Sequence, residues 1–135
     1  MSKSVIACVE DLFFRSKIEA TARHLNVPVR FVDARQLVKA CSDKNAAAVL
    51  LELSSDGDAL ASVRELRRGR VAEAMPVIGF LAHVDKELAR QAEAAGVSQV
   101  LPRSQFSETL PDLLMDLLAP GTKREVQEEP ELPDE

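Results

Sequence analysis

The chain has 135 residues, 46% of them hydrophobic, a formal net charge of −5, five Phe and neither Trp nor Tyr. This is one domain's worth of chain, long enough to bury a single core built from Leu, Val, Ile and Ala. The acidic balance speaks against a nucleic-acid binder, and two cysteines without ligand-like spacing supply neither a metal site nor a disulfide framework.

At the amino end an apolar run, residues 5–9, stops at Glu10 and Asp11. It is too short for a signal peptide or a membrane span, so a cytoplasmic protein with reduced thiols is expected. The run reads as a buried first strand. Phe14, Ile18, Ala22 and Leu25 then fall on one helical stripe, with Leu12 and Phe13 partly off it and Asn26 as a left-handed terminator. Residues 29–32 read as a second strand, and Asp33 as the cap of a helix through Leu37, Val38 and Cys41.

A loop over 42–45 leads to a third strand, Val49-Leu50-Leu51-Glu52-Leu53, apolar on both faces as a central parallel strand requires. Asp56-Gly57-Asp58 opens a third helix carrying Leu60, Val63 and Leu66. Pro76 launches a fourth strand over 77–81. Asp85 caps an Ala-rich helix over 86–95, which Gly96 ends. Residues 97–101 read as a fifth strand and Pro102-Arg103-Ser104 as a turn. The last helix holds Leu110, Leu113, Leu114, Leu117 and Leu118, with Pro111 admissible only in its first turn.

Strand and helix alternate five times, which predicts an α/β domain over residues 1–120 with a doubly wound, five-stranded parallel sheet, (βα)5. The tail, 121–135, is acidic, contains Pro130 and Pro133, has no apolar stripe, and is expected to be disordered. In such a sheet chemistry sits beyond the carboxyl ends of the strands, which singles out Glu52.

The order of local patterns resembles the CheY-like receiver domain of bacterial response regulators, over residues 4 to about 119. Glu10-Asp11 stand where receivers carry two acidic residues after the first strand. The run VLLEL, 49–53, matches the strand that ends in the phosphoacceptor Asp. Pro76-Val77-Ile78 matches the fourth strand, and Ala94-Ala95-Gly96 followed later by Arg103 matches the approach to a Lys. The resemblance implies a flavodoxin-like fold and a role in two-component, phosphorelay signalling. It also implies a partner face on the fourth helix, fifth strand and fifth helix, here with Arg90, Val100 and Phe106.

The departures fall on the chemistry. Glu52 stands at the phosphoacceptor position, Leu81 at the hydroxyl position, Arg103 at the lysine position and Val100 at the aromatic position. Phosphoryl transfer depends on positioning and charge stabilisation, and a displacement of about 1 Å costs on the order of a hundredfold. Glu10, Asp11, Glu52, Leu81 and Arg103 therefore read as a degenerate acceptor pocket. Glu10, Asp11 and Glu52 are the residues that would hold Mg²⁺. Arg103 is expected to compete for them as a paired charge at the sheet rim, so no cofactor is expected.

The expected protein is a stand-alone, non-enzymatic pseudo-receiver acting on a protein partner, a signalling protein or a second copy, with neither nucleic acid nor membrane. The alternative is a working receiver phosphorylated on Glu52 by a histidine kinase. A ligand binder at the strand ends ranks behind both. Among the remaining polar residues, Arg64, Arg67, Arg68 and Arg70 read as a solvated helix end and Cys8 as a small buried hydrophobe, while His24 and His83 form no site.

Overall fold

The computed structural model describes residues 3–53, 58–69, 75–81 and 85–118. Five parallel strands, β1 (Ser4–Cys8), β2 (Val29–Phe31), β3 (Ala46–Leu53), β4 (Val77–Leu81) and β5 (Gln99–Pro102), form one sheet in the order β2-β1-β3-β4-β5. The helices are α1 (Leu12–Leu25), α2 (Leu37–Cys41), α3 (Asp58–Arg68), α4 (Lys86–Ala95) and α5 (Arg103–Leu118). The expected doubly wound (βα)5 architecture is present. None of the described helices is long and apolar enough to cross a membrane.

Period-two alternation sorts the strand residues between the sheet's two faces. Val49, Leu51 and Leu53 of β3 pack under α2, α3 and α4 with Leu37, Leu60, Val63, Leu66 and Ala92. Ala48 and Leu50 pack under α1 and α5 with Phe14, Ile18, Phe106, Leu110 and Leu114. β3 is covered on both sides, and its apolar run is the physical requirement of that position.

Several local signals stand where the sequence placed them. Asn26 ends α1 in the left-handed region at φ 60°, and Asp85 accepts a hydrogen bond from the Leu88 N–H to cap α4. Asp33 caps a single 3-10 turn, Ala34–Gln36, through a reciprocal capping box, and α2 follows for only five residues. β3 starts three residues earlier than its Val49 signal, because Ala46 and Ala48 are also buried. The expected tail, Asp56-Gly57 and His83 lie outside the described residues.

The largest correction concerns α5. It begins at Arg103, so Pro111 is its ninth residue and not a first-turn residue. Proline has no N–H to offer the carbonyl of Ser107, and its ring crowds that carbonyl. The helix continues because Phe106, Leu110 and Leu114, on either side of the proline, are all completely buried. Pro111→Ala removes the interior penalty, and a melting temperature several degrees above wild type is expected by calorimetry.

Arg67 is no solvated helix end. Its Nε donates to the Gly96 carbonyl at 2.9 Å and its Nη2 to Ser98 Oγ at 3.3 Å, while Ser98 Oγ accepts from the Val77 N–H at 3.0 Å. One side chain thus ties α3 to the turn after α4 and, through Ser98, to the start of β4. Gly96 is required twice over: its φ is +116°, and a Cβ there would meet Arg67 Cγ at 2.6 Å. Gly96→Ala is expected to cost about 2 kcal/mol in denaturant unfolding. Because Arg67 is the atom in the way, adding Arg67→Ala to Gly96→Ala should cost less than Arg67→Ala does alone.

Candidate functional site

The strand ends β1, β3, β4 and β5 share one rim of the sheet. Cys8 is level with Leu51, and Leu53 with Leu81, so Glu52 stands beside the connection from β1 to α1. Glu52 is half-buried and its Oε1 accepts two backbone hydrogen bonds, from the N–H of Glu10 at 2.7 Å and of Asp11 at 3.2 Å. Asp11 caps α1, its Oδ1 accepting from the Phe14 N–H at 3.2 Å. Arg15 donates to the Val9 carbonyl at 3.2 Å. Glu is one methylene, about 1.5 Å, longer than Asp. Here that reach turns the carboxylate back onto the loop.

The expected Glu52–Arg103 pair is not formed, and among the described residues no ion pair joins them. Arg103 opens α5 and holds its guanidinium carbon 5.0 Å from the centre of the Phe14 ring. Two fixed amides already satisfy one Glu52 oxygen, and the ring face offers the exposed guanidinium a cation–π contact. Beneath it Phe14, Phe80 and Phe106 form a cluster in which Phe80 and Phe106 stack at 4.1 Å.

Phe106 therefore does not belong to a partner face. It is fully buried because α5 begins three residues before it and turns that position inward. The other two expected face residues are accessible. Val100 is half-buried, and Arg90 is exposed and hydrogen-bonded to Glu87. The Arg90 guanidinium, then Gln91, hold the Glu87 carboxyl below its usual range. Leu81, Ala89, Val100 and Pro102 line an apolar cleft of about 220 Å³ between α4 and β5, with Asp85, Lys86 and Glu93 at its edge.

Among the described residues the remaining titratable groups add no nucleophile. Burial pushes the Cys8 thiol up to about 11, with Glu10, Asp33 and Glu52 adding to the effect. Burial pushes Cys41 up to about 11 as well, opposed by Arg67. Both are neutral thiols at pH 7. His24 is exposed on α1, remote in sequence from the rim residues.

Two of the three carboxylates that the receiver resemblance assigns to Mg²⁺ have one oxygen already engaged. Glu52 Oε1 is committed to two amides and Asp11 Oδ1 to the helix cap. Among the described residues no group of three or more His, Cys, Asp and Glu is placed to hold a metal ion.

Neither a protein-family model nor a curated protein matches the chain. Solved structures do. The chain is similar to the receiver domain of a sensor histidine kinase from Pseudomonas aeruginosa with magnesium coordinated in its active-site cleft. The identity is 20%, the coverage 87% of this chain and 98% of that one, and the TM-score 0.73. It is similar to chemotaxis protein CheY4 of Vibrio cholerae at 16% identity, covering 87% and 100%, with a TM-score of 0.72. A response regulator receiver domain from Bermanella marisrubri gives 24% identity, 87% and 98% coverage, and a TM-score of 0.71. The chain has the CheY-like receiver fold.

Proposed function

We propose that this chain is a non-catalytic signalling module, a receiver fold whose acceptor-position carboxylate is engaged by its own loop and whose output is contact with a protein partner. The observation that carries the reading is the Glu52 carboxylate bound to the Glu10 and Asp11 amides. A phosphoacceptor must present an oxygen to an incoming phosphoryl group, in line and unencumbered. Turned onto the loop, Glu52 instead holds the β1–α1 connection in one arrangement. Leu81 offers no hydroxyl to a phosphoryl oxygen, and Arg103, lying over Phe14, is not directed at Glu52.

The partner side is the α4–β5 cleft. Its floor is apolar, with Val100 at the position where receivers often carry an aromatic. A cleft of about 220 Å³ matches one apolar side chain of a signalling protein or of a second copy of this chain. Its edge charges Asp85, Lys86 and Glu93 give such a contact its orientation. The module works inside the cell, without a bound cofactor.

Incubation with acetyl phosphate and Mg²⁺, followed by intact-mass measurement, is expected to give no gain of one phosphoryl group. A gain that disappears in Glu52→Gln would make the chain a working receiver with an unusual acceptor. The clamp is measurable separately. Each charge-assisted bond to a backbone amide is worth about 1.5–3 kcal/mol. Because Glu52 is only half-buried, the two bonds together are worth less than their sum, and Glu52→Ala should lower unfolding stability by about 2–3 kcal/mol and speed hydrogen exchange at the Glu10 and Asp11 amides. Unchanged exchange at those two amides would remove the clamp.

A further inference from the structure

The two ends of the sheet carry opposite charge. Helix caps and strand ends gather Glu10, Asp11, Asp33, Glu52 and Asp85 at the rim. The other end, where the strands start and the helices stop, gathers cations. Lys3 precedes β1, Arg30 stands on β2, Lys39 on α2 and Lys44 in the turn before β3, all four exposed. Arg23 and His24 close α1 at the same end.

Arg23, His24 and Lys39 lie in last helical turns, where the helix dipole favours cations. Lys3, Arg30 and Lys44 belong to no helix, so the dipole does not account for them. Two of them are neighbours, because Lys3 Nζ donates to the Lys44 carbonyl at 3.3 Å. β1 lies between β2 and β3, which brings Arg30 into the same group. Over residues 26–30 and 42–45 the one carboxylate is Asp43. Its Oδ1 accepts from the Asn45 N–H at 2.8 Å, and its Oδ2 lies 3.9 Å from Arg30. Among the described residues Lys3, Lys39 and Lys44 have no carboxylate partner. These cations stand nearly unopposed in a chain whose net charge is −5.

The negative charge that would match them lies later in the sequence. Residues 119–135, outside the described residues, contain Glu125, Glu128, Glu129, Glu131, Asp134 and Glu135 against Lys123 and Arg124. Six carboxylates against two cations make up four of the five net negative charges. The segment follows α5, which stops at Leu118 at the basic end, its Leu117 in one buried cluster with Val5, Ala22 and Val27. Glu128 is ten residues beyond Leu118, a reach of up to about 33–36 Å. Neighbouring strands are about 4.8 Å apart, so the starts of β2, β1 and β3 all lie within that reach.

From this match we propose that the basic end of the sheet is a docking surface for an acidic peptide segment. Its occupant is residues 125–135 of the same chain, held by Lys3, Arg30, Lys39 and Lys44. Each exposed pair is weak and screened by salt. Several share one tether, whose effective concentration is on the order of millimolar. The inference depends neither on phosphate at Glu52 nor on a partner in the α4–β5 cleft.

The test attaches a nitroxide spin label to the full chain through Pro133→Cys, which leaves every carboxylate in place. Cys8 and Cys41 are buried, so the label goes to position 133. At about 0.01 M ionic strength the screening length is about 30 Å, and the amide NMR signals of Lys3, Arg30, Lys44 and Asn45 should lose intensity. Those of Glu10, Asp33 and Leu88 should keep theirs. At about 1 M the screening length is about 3 Å, and the lost intensity should return. Lys3→Gln with Lys44→Gln, both at exposed positions, should restore most of the intensity at Arg30 and Asn45 at low salt. A mixture of labelled, unenriched chain with unlabelled, isotope-enriched chain should show no loss, because the contact is made within one chain. Loss that survives high salt or the double substitution would mean a tether merely passing its anchor, and would overturn the inference. So would equal loss at the rim, no loss at low salt, or loss in the mixture.

Discussion

Two backbone N–H groups facing one carboxylate oxygen set the geometry of the functional rim. Glu52 projects from β3, a strand covered on both faces. The loop it grips leads directly into α1. With Glu10 and Asp11 held, Asp11 is placed to cap the helix, and a half-buried carboxylate sits near the positive end of the α1 dipole. Phe14 then enters the core one turn later, against Phe80 and Phe106. Arg103 takes its position from that ring. A single side-chain orientation on β3 thus propagates through α1 to α5.

The fold was legible because its signals are local. Asn26 and Gly96 mark left-handed helix ends, and Asp85 and Asp33 are caps whose partners lie three residues away. Residue type and spacing contain everything such features need. The identity of the rim residues was legible for the same reason, since Glu52 follows an apolar run at a strand end. Their contacts were not. Whether Glu52 meets Arg103 or two amides depends on a rotamer and on the path of the loop, and no spacing encodes either. Phe106 was assigned to a partner face by the receiver resemblance, which does not say which side of the last helix turns inward. The burial of Phe106, Leu110 and Leu114 outweighs the penalty of one missing N–H. Arg67 reads as a solvated helix end in the sequence because its partners are 29 and 31 positions distant.

The rim and the α4–β5 cleft are built on different supports. The rim hangs on Glu52, α1 and the phenylalanine cluster on one side of the sheet. The cleft rests on α4, which Arg67 fastens to α3 across the other side through Gly96 and Ser98. In a receiver that switches, these two places must communicate. Here the residues between them, Leu81 and Val100, are apolar, and they fill space without offering a hydrogen bond to exchange. The rim and the cleft are thus held by separate contacts on opposite sides of the sheet.

The phenylalanine cluster also has an optical consequence. With neither Trp nor Tyr in the chain, Phe is its only aromatic chromophore, and three of the five rings lie in van der Waals reach of one another beneath the rim. A fourth, Phe13, stands edge-on to Phe14. Near-ultraviolet circular dichroism, which in most proteins averages many tryptophans and tyrosines, is here dominated by the junction of α1, β4 and α5. The protein carries its own spectroscopic label directly beneath the rim that holds Glu52.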